Sequence, residues 1–205
     1  MELSKLPLPE FTDALAGKTP VPGGGGASAL CASLGAALGS MVANYTVGKE
    51  KYAAVEADVS RILSEAETLR TQLLALIDAD AAAFEPLSRA YGIPKDDSSR
   101  AETLEACLHE AAAVPMEIAR LSCRAIELHA QLLDKGSAMM RSDVGTGVVL
   151  CWAALYGAAL NVKVNTRLMT DRAYADAINS ELDTLVNTYW KRAEAVYETV
   201  LKCYE

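Results

Sequence analysis

The chain has 205 residues, with 19 Lys plus Arg against 27 Asp plus Glu, so its net charge is −8. That length fits one domain with a sizeable core, and the acidity argues against nucleic acid or an anionic membrane surface as the main partner, since both demand clustered positive charge. Aromatic residues are 6%, Ala and Leu are abundant, and no run rich in Val, Ile and Thr reads as a strand. The composition predicts a mostly helical fold.

In chain order, the first seven residues carry neither the basic patch nor the apolar stretch of a signal peptide. A short helix is expected from Pro7 to Ala16, ended by Gly17. Thr19-Pro-Val-Pro-Gly-Gly-Gly-Gly26 reads as a loop that no helix continues through. From Ala27 to about Val47 an uncharged Ala/Leu/Gly-rich helix follows. It is long enough to cross a bilayer, but Ser28, Ser33, Ser40, Asn44 and Thr46 favour a central helix buried on nearly all sides. Gly35 and Gly39, one turn apart, admit another backbone, of this chain or of a second copy. An amphipathic helix is predicted from Glu56 to Tyr91, with Pro86 kinking or breaking its end, and Ser99 is placed to cap the next. That helix runs from Arg100 to Asp134, interrupted at Pro115 and ended by Gly136. A second uncharged run, Val144 to Val162, has the same buried character, and Asp171 to Tyr204 gives a final helix or two. Residues 1–205 thus read as a single domain, one all-α bundle. Two fully buried helices are hard to cover with one chain this size, which points to oligomerisation covering part of that surface. The five cysteines, odd in number and without C-x-x-C spacing, read as free thiols of a cytoplasmic protein.

Some residues stand out from that pattern. The helical stripe Ile62, Ala66, Leu69, Leu73, Leu76, Asp80, Phe84, Leu87 is apolar except at Asp80. A carboxylate there is either a structural partner for an arginine or a helix end, or an acid/base group whose pKa burial has raised. Asp78, rotated well away, reads as an ordinary solvated charge. The four glycines before a helix are either a tight turn or a place where backbone approaches a ligand, with free N–H groups facing an anion; no Walker or dinucleotide pattern is present. Asn161 and Asn165, one turn apart beside Gly157, suit either a flat polar heterocycle or the capping of neighbouring helices. Asp143, near a helix start, reads well as a dipole partner. His109 and His129 have no metal-ligand spacing and read as surface or satisfied helix residues; no metal site and no resident cofactor are expected.

These segments together resemble a known family. Thr19–Gly26, running into Gly35-Ala-Ala-Leu-Gly39, Asn44-Tyr-Thr-Val-Gly48-Lys49-Glu-Lys51-Tyr52, is similar to the start of the cyclodeaminase/cyclohydrolase family, which includes the cyclodeaminase domain of formiminotransferase-cyclodeaminase and stand-alone methenyltetrahydrofolate cyclohydrolases. Ile77-Asp-Ala-Asp80-Ala-Ala-Ala-Phe84, Ala113-Val-Pro115, Arg141-Ser-Asp143-Val-Gly145 and Ala159-Leu-Asn161-Val-Lys-Val-Asn165 continue it in order, over about residues 10 to 200. The resemblance implies an up-and-down helical bundle that forms a homodimer and binds a reduced folate, with Asp80 at the catalytic position. It places Pro22, Gly23, Gly24, Gly25, Lys49, Lys51, Arg141, Asp143, Asn161 and Asn165 around the folate cleft. The lysines and the loop amides would hold the glutamate tail, and the asparagines the pterin or the one-carbon bridge. With no formiminotransferase segment in these 205 residues, it favours hydrolysis of 5,10-methenyltetrahydrofolate over cyclodeamination of 5-formiminotetrahydrofolate. A non-catalytic folate-binding dimer is the reading from another class.

Overall fold

The computed structural model describes residues 2–205. Six helices form it: α1 (Leu8–Ala16), α2 (Gly24–Asn44), α3 (Glu56–Ala90), α4 (Arg100–Lys135), α5 (Arg141–Thr166) and α6 (Arg172–Leu201), with short 3-10 turns at Leu3–Lys5, Glu50–Val55 and Ala138–Met140. No strand occurs among the described residues.

Short connections force each long helix to run against the one before it. Gly25 meets Asp80 across α2 and α3. Lys135 pairs with Asp58, and Arg124 with Glu65 at 2.9 Å, across α3 and α4. Asn165 bonds Ala111 across α4 and α5, and Lys163 pairs with Asp183 at 2.6 Å across α5 and α6. The bundle is therefore up-and-down from α2 to α6. Its core is aliphatic, filled by residues such as Ile62, Leu69, Leu73, Ile118, Ile126, Leu155 and Leu182, all fully buried.

The sequence boundaries shift in instructive ways. Gly24, Gly25 and Gly26 are the first turn of α2 rather than loop, because the carboxylate of Asp80 accepts the Gly26 N–H at 2.9 Å and caps the helix from outside. Helix α3 continues through Pro86 and α4 through Pro115. Pro86 lies near the C-terminal end of α3, where little helix follows the bond it forgoes, and Pro115 is itself buried in tertiary packing that outweighs its helix cost of about 3 kcal/mol. Ser99 stands before α4 without capping it; its hydroxyl bonds Asp97 at 2.7 Å. One helix, capped by Asp171 on Tyr174 N, occupies the C-terminal segment. Asp78 is not a solvated charge: it accepts the backbone N–H of Leu3 and the hydroxyl of Ser4, tying the N-terminal turn to α3.

Helices α2 and α5 are each long and apolar enough to cross a membrane. Here they pack on one another through glycines. A Cβ on Gly35 would strike Cys151 of α5, so the close neighbour of Gly35 lies in the same chain. Neither helix is enclosed on all sides: Leu34 of α2 and Val149, Tyr156, Leu160 and Val164 of α5 are exposed. All five cysteines are free, with Cys203 exposed and Cys123 and Cys151 buried.

Candidate active site

At the end of the bundle where α2 begins and α5 finishes lies a small open cleft of about 100 Å³. Its walls are Pro20, Val21 and Gly23–Gly25 from the loop and first turn of α2, Asp80 and Phe84 of α3, Ala111 and Pro115 of α4, and Asn161, Val164 and Asn165 of α5. Asp80 is the single ionisable side chain among them.

Asp80 is where it is because α3 crosses the glycine turn at close range. A Cβ on Gly25 would overlap the Asp80 carboxylate, whereas one on Gly26 would find only ordinary contact, 3.6 Å from Pro22. Gly25 thus makes room for the carboxylate, and Gly26 supplies its hydrogen bond. Along α3 the buried row runs Leu69, Leu73, Ile77, Ala81, so Asp80 stands beside the core row instead of within it, half-buried at its edge. Burial pushes its carboxyl above the ordinary carboxylate value, and the Gly26 N–H pulls part of that back. The resulting group is a carboxylate of raised basicity opening onto a cleft. Such a group can take a proton from water and return it to a leaving nitrogen.

The α5 wall is held by backbone. Asn161 Nδ2 donates to Gly157 O at 2.8 Å, and Asn165 Nδ2 donates to Ala111 O at 2.7 Å and Asn161 O at 3.0 Å. Gly24 leaves space for Asn161, whose amide lies 3.0 Å from where a Gly24 Cβ would stand.

The structure divides the residues singled out from the sequence into two groups. Asp80, Gly23, Gly24, Gly25, Asn161 and Asn165 share the cleft. Pro22 is buried behind the loop and does not line it. Lys49, Lys51, Arg141 and Asp143 lie at the opposite end of the bundle, because Lys49 follows the far end of α2 and Arg141 opens α5, each about 30 Å of helix from the cleft. There Lys49 sits over the Tyr45 ring, Lys51 over Tyr52, and Arg141 faces Cys203, while Asp143 occupies the first turn of α5 without a capping bond. Phe84, Pro115 and Val164, quoted above only within motifs and without a site role, also line the cleft, and so does Ala111, which lies in none of them. Phe84 lies one turn beyond Asp80, and a proline kept inside a helix at Pro115 was the available signal for that wall.

His129 is fully buried, its Nε2 2.9 Å from Gly35 O and its Nδ1 without a partner. Burial lowers its pKa to about 4. It lies outside the cleft.

Among the described residues no group of three or more His, Cys, Asp or Glu converges as a metal site would. A helical bundle with one buried-edge carboxylate and two backbone-held amides lining a single cleft has the make-up of a small-molecule site. The formiminotransferase-cyclodeaminase family model matches residues 7–184. A methenyltetrahydrofolate cyclohydrolase of Methylorubrum extorquens is 41% identical over 194 residues, covering 93% of each chain. The formimidoyltransferase-cyclodeaminase of Sus scrofa is 29% identical over 94% of this chain, which spans about a third of that protein, 36%. The crystal structure of formiminotetrahydrofolate cyclodeaminase from Thermotoga maritima superposes with a TM-score of 0.86 at 30% identity, covering 98% of this chain and 100% of that one. The chain belongs to the formiminotransferase-cyclodeaminase family.

Proposed function

We propose that the protein is a folate one-carbon enzyme that hydrolyses 5,10-methenyltetrahydrofolate to 10-formyltetrahydrofolate. The observation that carries this reading is the Asp80 carboxylate, its pKa raised by burial, at the mouth of a cleft that holds no other ionisable side chain. The two-sided coverage of the cyclohydrolase relative supports it. The bridge carbon of the substrate is an amidinium carbon, positively charged and electrophilic. Water attacks it, a C–O bond forms, and Asp80 takes the released proton. Asp80 then delivers that proton to N5, the C–N5 bond breaks with its electron pair on nitrogen, and the hydroxyl proton departs as the formyl group forms on N10. One proton is released overall, as the loss of a cationic substrate requires. Before attack, the ionised carboxylate also favours the cation electrostatically. Substrate and water suffice for this chemistry, with no resident cofactor, and the reading keeps the reaction in the cytoplasm and away from a membrane.

Cyclodeamination of 5-formiminotetrahydrofolate is the second reading, favoured by the Thermotoga maritima structure. It passes through a related tetrahedral carbon, with ammonia in place of water. Presenting both substrates to the purified protein separates them: loss of the methenyl absorbance faster than the uncatalysed ring opening supports hydrolysis, and ammonia release from the formimino substrate without it supports cyclodeamination. Activity on neither would leave a folate-binding protein.

The reading includes a homodimer. Its support is the uncovered apolar face that α5 carries through Val149, Tyr156, Leu160 and Val164, an uncharged stripe at helical spacing. Leu160→Glu is expected to shift the protein to monomer in analytical ultracentrifugation; an unchanged sedimentation coefficient would place any interface elsewhere.

A further inference from the structure

The cleft, at about 100 Å³, is well below the roughly 300 Å³ at which small-molecule pockets begin. With a reduced folate as occupant, which rests on the reading above, a fused ring cannot be seated until a wall moves. Two of the walls are interlocked. Added Cβ atoms on Gly24, Gly35 and Gly157 would press on Asn161, Cys151 and Ser28, so α2 and α5 touch closely at three levels. The wall from α3 and α4 is built differently.

The apolar core is two clusters. Along α3 the main one ends at Ile77 and a second begins at Leu87; along α4 the second ends at Ala112 and the main one resumes at Met116. The changes fall at Pro86 and Pro115, one inside each helix. A proline has no N–H for the carbonyl four residues back, so the helical ladders are broken at Ala82 and at Ala111. Ala82 is exposed, and Ala111 O takes Asn165 Nδ2 at 2.7 Å in place of its own helix. At this level Ala79, Ala82, Ala83, Pro86, Cys107 and Val114 leave an open groove of about 470 Å³ between α3 and α4. Beyond the prolines, residues 87–114 are braced among themselves. Arg100 donates to the carbonyls of Ala90, Tyr91 and Ile93, and Leu87, Leu108 and Ala112 share the second cluster. Met169 and Ala175 complete that cluster from the α5–α6 turn. There Glu105 accepts the Thr170 N–H at 2.7 Å, the Thr170 hydroxyl at 2.7 Å and the Asp171 N–H at 2.8 Å. Phe84 packs against the second cluster and Ala111 belongs to it, and both line the cleft.

We propose that residues 87–114, the tip of the α3–α4 hairpin, form a flap that swings about Pro86 and Pro115 to admit the ligand and closes on it through Phe84 and Ala111. Asn165 sets the closed position by holding the carbonyl that Pro115 orphans, and Glu105 latches the flap to the α5–α6 turn. The flap takes no part in proton transfer; its closure shuts bulk water away from Asp80.

The test is hydrogen–deuterium exchange of the 205-residue chain, followed peptide by peptide. In the ligand-free protein, residues 104–114 are expected to exchange about tenfold faster than residues 118–132 of the same helix. Glu105→Ala removes three bonds without touching the cleft lining, and is expected to speed the flap about tenfold again with residues 118–132 unchanged. Pro115→Ala, which returns an N–H to Ala111 O, is expected to slow it; Glu105→Ala carries the test if that variant folds poorly. Saturating 10-formyltetrahydrofolate is expected to slow the flap and spare residues 118–132. Equal protection on the two sides of Pro115, or a Glu105→Ala protein in which both sides speed up alike, would overturn the flap. Exchange unmoved by a folate that the protein demonstrably turns over would overturn its role as a gate. Loss of methenyl absorbance in the same preparation reports the folate reading separately. Without that loss the folate reading falls, while exchange in the free protein and in Glu105→Ala still decides the flap.

Discussion

Two glycines in this bundle serve the same packing purpose with opposite consequences. At Gly25 the space of a side chain is filled by the Asp80 carboxylate, and at Gly147 it is filled by the His129 imidazole. Each titratable group crosses from one helix onto another and is anchored by backbone: Gly26 N–H for the carboxylate, Gly35 O for the ring. Both have their charged form disfavoured by burial. The difference lies in what the other side of each group faces. Asp80 opens onto the cleft, so its raised basicity is available to a ligand. His129 is sealed at the α2–α4–α5 crossing, held neutral, and serves packing alone. Glycine-made contacts and shifted pKa values do not by themselves mark an active site; access does.

Breaking the open member of the pair gives the largest expected effect. Asp80→Asn keeps the shape and the Gly26 contact but removes the base, and is expected to lower kcat by about a thousandfold. Because the fold favours the protonated carboxyl, the ionised form costs stability at neutral pH. Asn is therefore expected to hold or raise the melting temperature, as thermal unfolding would show.

The sealed member is tested by pH. Its folded pKa of about 4 lies below the ordinary 6.5, so the unfolded chain binds the extra proton first. Stability is full above pH 6.5 and declines as pH falls toward 4, by about 3 kcal/mol. Denaturant midpoints across that window should fall in wild type and lie flatter in His129→Gln, once both start from pH 7.

The glycines sharpen the contrast. Gly25→Ala is expected to displace Asp80 and cost about a hundredfold in kcat, while Gly26→Ala, with an ordinary 3.6 Å contact, stays near wild type in steady-state assays. Gly147→Ala is expected to overpack the His129 crossing and lose about 2 kcal/mol in chemical denaturation, with kcat unchanged. Matching losses of kcat at Gly25 and Gly147 would abolish the distinction between the two crossings.

The sequence made the helices and the chemistry-bearing face of Asp80 legible, because both are local patterns. The predicted stripe runs one position off the buried row at Leu76, Asp80 and Phe84, where burial passes to Ile77 and Ala81, and rejoins it at Leu87, so the carboxylate sits at the edge of the row. The glycine turn and the asparagine pair reached the same cleft. Lys49, Lys51, Arg141 and Asp143 did not, since adjacency to the cleft follows from which helix ends meet in an up-and-down bundle rather than from their own neighbourhoods. For the same reason nothing near His129 announced it: its partners Gly35 and Gly147 are distant in sequence. Asp78 likewise looked solvated until Leu3 and Ser4 were brought to it.

The proposed function stands on Asp80 acting as the base. It is tested most directly by the pH dependence of kcat/KM for methenyl absorbance loss in wild type and Asp80→Asn. A base must be ionised, so the wild-type rate is predicted to fall at low pH with a midpoint above the ordinary carboxylate value of 3.8. The Asp80→Asn rate is predicted to be lower throughout and to lack that limb. An Asp80→Asn protein with the wild-type rate and the same acid limb would contradict the account.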